Sequence, residues 1–90
     1  MFIIEKDDNF LKIAKKFFKK HPDLIDNFKD LIIKVHKNPF QSSLKLHKLK
    51  GRLKNYHSIS LNYKYRVILI LKIIDNKIIL VDIGSHDEVY

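Results

Sequence analysis

No cysteine occurs among the 90 residues. That excludes disulfide staples, thiolate metal sites and a cysteine nucleophile together, and it fits a reducing cytosol. Glycine stands only at Gly51 and Gly84, so neither a glycine-rich phosphate loop nor a dinucleotide fingerprint can be built. The longest unbroken apolar run, Val67 to Leu71, is far short of the roughly 20 residues that cross a membrane. The opening MFIIEKDD turns acidic by Glu5, which argues against a signal peptide. No repeat, low-complexity tract or linker interrupts the chain.

What is present suffices for one domain and no second. The hydrophobic fraction is 46%, enough for a core and too high for bulk disorder. The net charge is +8, and its distribution matters more than its size. Residues 1–40 carry nine Lys and six acids; residues 67–90 carry two Lys and four acids. Residues 41–66 carry seven Lys or Arg and no acid at all. A block of one sign points to a polyanion, nucleic acid above all.

Phe2 to Glu5 reads as a short edge strand. Phe10, Leu11, Ala14, Phe17 and Phe18 then recur at helical spacing, with Lys12, Lys15, Lys16, Lys19 and Lys20 mostly on other faces. Asp7 or Asp8 is suited to cap that helix. His21-Pro22-Asp23 divides it from a second helix, whose stripe is Leu24, Phe28, Leu31, Ile32 and Val35 and which Asn38-Pro39 ends. So short a link predicts an antiparallel helical hairpin. Residues 39–54 read mainly as a basic loop. Tyr56 to Leu61, Tyr65 to Ile74 and Lys77 to Ile83 read as strands, with a tight turn at Asp75-Asn76. The last two are apolar on both faces and so central. The sum is an α+β domain, β-α-α-β-β-β, with the hairpin on one face of a mostly antiparallel sheet.

Five histidines could carry chemistry. His21 and His36 sit near helix ends, where histidine favours the helix dipole, and are read as structural or surface residues. No two histidines stand at i, i+4 on a helix, and no carboxylate lies in the basic segment, so no zinc site is expected. Ser85-His86-Asp87 is no catalytic triad, because three consecutive side chains cannot converge. If the polyanion is RNA and its backbone is cut, the 2′-oxygen must lose a proton and the leaving 5′-oxygen must gain one. Histidine suits both tasks near neutral pH. Arg66 can grip the phosphate oxygens of the transition state in two-pronged fashion. Tyrosines at 56, 63, 65 and 90 are available to stack on splayed bases.

The run LHKLKGRLKNYHSISLNYKYRVILIL and the ending IILVDIGSHDEVY resemble the RelE/ParE toxin superfamily, in its RelE branch with a YafQ-like ending. The specific pieces are His47-x-Leu49-x-Gly51, Tyr65-Arg66, and Gly84 through Tyr90. The resemblance implies a small metal-independent ribonuclease that cuts mRNA in the ribosomal A site and is neutralised by a cognate antitoxin, acidic and partly disordered when free. It implies a cytoplasmic toxin with no membrane partner. By position, His47, Arg66, His86 and Tyr90 would be catalytic. Lys45, Lys48, Lys50, Arg52, Lys54 and Lys64 would hold RNA and ribosome. Ser60 stands where YafQ-like toxins carry another histidine, and His57 lies three residues earlier. The general base is therefore His47, His57 or a lysine. The same superfamily contains ParE-like gyrase inhibitors that perform no RNA chemistry, and inactive members that only bind nucleic acid or antitoxin.

Overall fold

Phe10, Ala14 and Phe17 form one buried stripe along an eleven-residue helix, α1 (Phe10–Lys20). Leu31 and Val35 do the same in α2 (Ile25–Lys37). These stripes define the architecture of the computed structural model, which describes residues 1–90 apart from the side chain of Glu88. A single 3₁₀ turn, Pro22–Leu24, joins the helices into the expected hairpin. At the start of α1, Asn9 occupies the capping position without a side-chain bond, and Asp7 braces the turn before it by accepting from the Asn9 N–H at 3.3 Å.

The strands are β1 (Ile3–Lys6), β2 (His47–Lys48), β3 (His57–Ser60), β4 (Tyr65–Lys72) and β5 (Lys77–Ser85). They form one sheet in the order β1-β5-β4-β3-β2. β1 runs parallel to β5, and the other pairs are antiparallel. The two strands rich in Val, Ile and Leu are thus the middle of the sheet. Val67, Leu69, Ile78, Leu80 and Ile83 close the core against Phe10, Phe17, Leu31 and Val35.

Three features differ from expectation. The basic segment is not only loop: it holds β2, flanked by 3₁₀ turns at Ser42–Leu44 and Gly51–Leu53. Two residues of strand give no period for a sequence pattern to reveal, and β2 exists because β3 offers it a backbone edge. β5 runs two residues beyond Ile83, and a short helix, α3 (His86–Val89), follows it. β4 ends at Lys72, leaving Ile73 and Ile74 exposed in the turn. There Asn76 takes the left-handed conformation, φ 52°, that glycine more often fills and asparagine tolerates.

Candidate active site

The ladder decides which side chains meet. Cross-strand partners share a face, and successive residues alternate. Ile59, Val67 and Leu69 point at the helices, so Ser58, Ser60, Arg66 and Ile68 point the other way. His47 pairs with Ser58, which pairs with Ile68. Ser60 pairs with Arg66, which pairs with Gly84. His47 and Arg66 therefore share the sheet face remote from the helices, two strands and two residues apart. That places their Cα atoms about 12 Å apart at ordinary strand spacing and rise. On the other side of Arg66 the chain passes Gly84 and Ser85 into α3, whose first residue is His86. Arg66 stands between the two histidines.

His47 is held by its own loop. Lys45 turns through a left-handed conformation, φ 52°, and its carbonyl lies 3.1 Å from His47 Nδ1. With the proton on Nδ1, the ring offers Nε2 to solvent as a proton acceptor. His57 is placed differently. It pairs with Lys48 and Leu69, which puts it on the helix side of the sheet. Burial first, then the nearby Lys48 ammonium and His47, hold its imidazole below the ordinary histidine value. It is neutral at pH 7, and its Nδ1 is buried without a hydrogen-bond partner.

The closing segment reaches back to the basic loop. Arg52, in the turn after β2, donates to the Tyr90 carbonyl at 3.3 Å. The His86 and Tyr90 rings meet edge to face at 4.2 Å. His86 is exposed, with Nδ1 3.6 Å from the Asp87 carboxylate, while the Tyr90 hydroxyl is buried without a partner. Buried polar atoms without partners are uncommon and collect where a ligand completes the shell.

Lys45, Lys48, Lys50 and Lys54 are exposed along the basic segment, Lys48 on the His57 side of β2 and so turned away from His47. Lys64 lies apart. Its ammonium sits 5.4 Å from the centre of the Tyr65 ring, and that ring packs against Phe17 and His21 on the helix side. Tyr65 is thus core packing. His36 is structural as expected, its Nδ1 lying 2.6 Å from the Phe2 carbonyl.

Sequence reasoning passed over Ser58 and Asp82. Ser58 is fully buried between His47 and Ile68, with no partner for its hydroxyl. Nothing in a lone serine announces that, because only the register creates the burial. Asp82 was visible as the single acid in the apolar run of β5. It lies at the irregularity where Ile68 and Leu69 face Asp82 and Leu80, and it lines a cavity of about 280 Å³ with Lys16, Lys20 and His21 of the helical hairpin. Among the described residues, no cluster of three or more His, Asp or Glu could hold a metal ion. No helix among them is long and apolar enough to cross a membrane.

No protein-family model matches the chain, and no curated protein does. Solved structures match it along its full length. A metal-bound toxin from Helicobacter pylori is 28% identical, with a TM-score of 0.80, covering 100% of both chains. YafQ from E. coli strain BL21(DE3) is 23% identical, with a TM-score of 0.82, covering 100% of this chain and 99% of that one. The E. coli DinJ-YafQ toxin-antitoxin complex gives 23% identity and a TM-score of 0.79, covering 99% of this chain and 97% of that one.

Proposed function

This chain has the RelE/YafQ-like toxin fold, and from that premise we propose that it is the toxin of a type II toxin–antitoxin pair that cuts mRNA on the ribosome in the cytoplasm. The observation that carries the reading is the strand order that sets Arg66 between His47 and His86, Arg66 being one of seven cations in a segment with no acid.

In this reading the residues act in turn. The RNA backbone lies along the sheet side that carries His47 and Arg66, drawn by Lys45, Lys50 and Lys54 with Lys48 at the edge strand. His47, with Nδ1 tied to the Lys45 carbonyl, takes the 2′-hydroxyl proton at Nε2. The 2′-oxygen attacks the adjacent phosphorus, and the bond to the 5′-oxygen breaks. Arg66 holds the equatorial oxygens as their charge grows. His86 protonates the leaving 5′-oxygen. Tyr90, fixed through its carbonyl by Arg52, stacks on a base next to the cut and orders the closing segment. No step calls for a metal. The antitoxin is an acidic chain, complementary to a net charge of +8.

The test is expression in a reconstituted translation system, with the ends of the mRNA mapped. Cleavage within the A-site codon, leaving 2′,3′-cyclic phosphate ends, is expected. Intact mRNA together with a block of gyrase supercoiling would transfer the chain to the ParE-like reading. Intact mRNA with neither effect would leave an inactive binding member of the superfamily.

A further inference from the structure

One ring has no part in the cleavage scheme. Tyr63 is 93% exposed, the most of any aromatic among the described residues. It stands on the turn between β3 and β4, and that turn is braced. Ser60 Oγ donates to the Asn62 carbonyl at 2.8 Å, and Asn62 Oδ1 accepts from the Lys64 and Tyr65 N–H groups at 2.9 and 2.7 Å. The side-chain nitrogen of Asn62 is left to donate elsewhere.

Tyr63 lines a cavity of about 320 Å³ between α2, the 3₁₀ turn at Ser42–Leu44 and the β3–β4 turn. That is large enough for a small ligand, whose sites begin at roughly 300 Å³. The buried leucines Leu31, Leu44 and Leu61 line it on the core side, with Asp30 and Asn62 among its polar walls. Asp30 is exposed and makes no ion pair with Lys34 one turn further on. The cavity adjoins the candidate site through two residues. Ser60 is the cross-strand partner of Arg66, and the Lys45 carbonyl is the one that holds His47. His86 lies beyond Arg66 on the other side. A strand with its scissile phosphate on Arg66 and its 2′-hydroxyl at His47 therefore has the base on the 5′ side of the cut toward the cavity.

The lining chooses the occupant. A flat ring can lie against the leucines with Tyr63 on its face, as bases stack on aromatic side chains. A bare phosphate or an acidic peptide would meet the Asp30 carboxylate, and one carboxylate is too few ligands for a metal ion. A carboxylate accepts two hydrogen bonds side by side. Guanine is the base whose pairing edge offers two adjacent donors, N1–H and the 2-amino group, with O6 next to them as an acceptor.

We propose that this cavity is a guanine subsite for the nucleotide on the 5′ side of the cut. Asp30 accepts from N1–H and the 2-amino group, Asn62 donates to O6, and Tyr63 covers the ring. This deepens the ribonuclease reading above and rests on it.

The experiment titrates the isotope-labelled full chain with guanosine 3′-monophosphate, which carries the base and phosphate of that nucleotide, and with the adenosine and inosine 3′-monophosphates. Amide shifts locate each ligand and give its Kd. The guanosine form should move the amides of residues 43–45 and 61–63. The adenosine form should bind about tenfold or more weakly, as the loss of hydrogen bonds to a charged group implies. The inosine form, which lacks only the 2-amino group, should fall between them. Asp30→Asn should bring the three affinities together, while Tyr63→Ala weakens all of them about tenfold and Tyr63→Phe does not. Both positions are exposed, so the variants should melt like the parent. In the translation assay the parent should cut after guanine in preference to other bases, and Asp30→Asn should lose that preference. Equal binding of the guanosine and adenosine forms, or shifts confined to other residues, overturns the inference. A parent that cuts mRNA with no preference at this base overturns the subsite and leaves the cleavage reading standing. A parent that neither cuts mRNA nor binds the guanosine form defeats both.

Discussion

His57 stands between its strand neighbours Lys48 and Leu69, one cationic and one apolar. It is kept neutral by burial, with Lys48 and His47 adding to the effect. In the unfolded chain it takes a proton near its ordinary value of 6.5, and in the folded chain only at lower pH. The folded form therefore has its full advantage above about pH 6.5, and that advantage drains away as pH falls toward the folded value. Denaturant midpoints measured from pH 7 down to pH 5 should fall in the parent and fall less in His57→Gln. His47 is the converse case: exposed, and tethered through Nδ1. His47→Ala should lower the single-turnover cleavage rate by about 10²–10⁴ and leave melting unchanged, as exposed positions generally do. His86→Ala should behave alike, and the two losses need not add if the residues act as one unit. The positions of His47, Arg66 and His86 were legible because each sits in a short recognisable motif. Which of them share a face was not legible, because a face is settled by register, and the register around β2 comes from its neighbour.

The helices were readable and the sheet partly so, for one physical reason. A helix eleven residues long shows its buried stripe three times over, and Phe10, Ala14 and Phe17 are enough to orient it. Phe17→Ala should cost about 3–5 kcal/mol and Leu31→Ala about 2–5 kcal/mol, since each empties space against a fixed sheet. Melting curves like the parent's in both variants would show the packing to be wrong. β2 left no such trace. It sits among Lys45, Lys48 and Lys50, where composition says loop, and its strand character is a backbone property conferred by β3. β1 was legible as an edge strand. Its parallel pairing with β5 depends on the whole hairpin crossing over before the chain returns. The exposed Glu5–Lys77 pair, 3.0 Å apart, lies across that junction. The hydrogen bond from Lys77 to Glu5, then the Glu5 charge, raise the Lys77 ammonium above its ordinary value. Its small contribution is thus present below about pH 10.5 and disappears above the raised value.

At the scale of the molecule, charge is organised by side. The acid-free stretch 41–66 supplies the cations around the open sheet face, and α1 supplies those behind it. Changing Lys48, Lys50 and Lys54 together to Gln should weaken RNA binding and flatten its salt dependence, by roughly 0.7–0.9 in logarithmic slope for each phosphate left without its cation. Filter binding of a short RNA across a salt series measures it, and an unchanged slope would reduce this block to a solvated surface. The block was visible in composition alone. Its division from Lys64, which instead covers the Tyr65 ring, was not, because the β3–β4 turn carries that lysine out of the group.

The pairing of β1 with β5 also sets a clock. Ile3 finds its partner Lys77 only after roughly seventy intervening residues exist. At the usual pace of synthesis, about 5–20 residues per second, the first strand waits on the order of 4–15 s. Until then the middle of the sheet is missing, and Arg66 has no Gly84 beside it. A nascent chain with that topology carries no assembled candidate site, and gains one only once the last strand is in place.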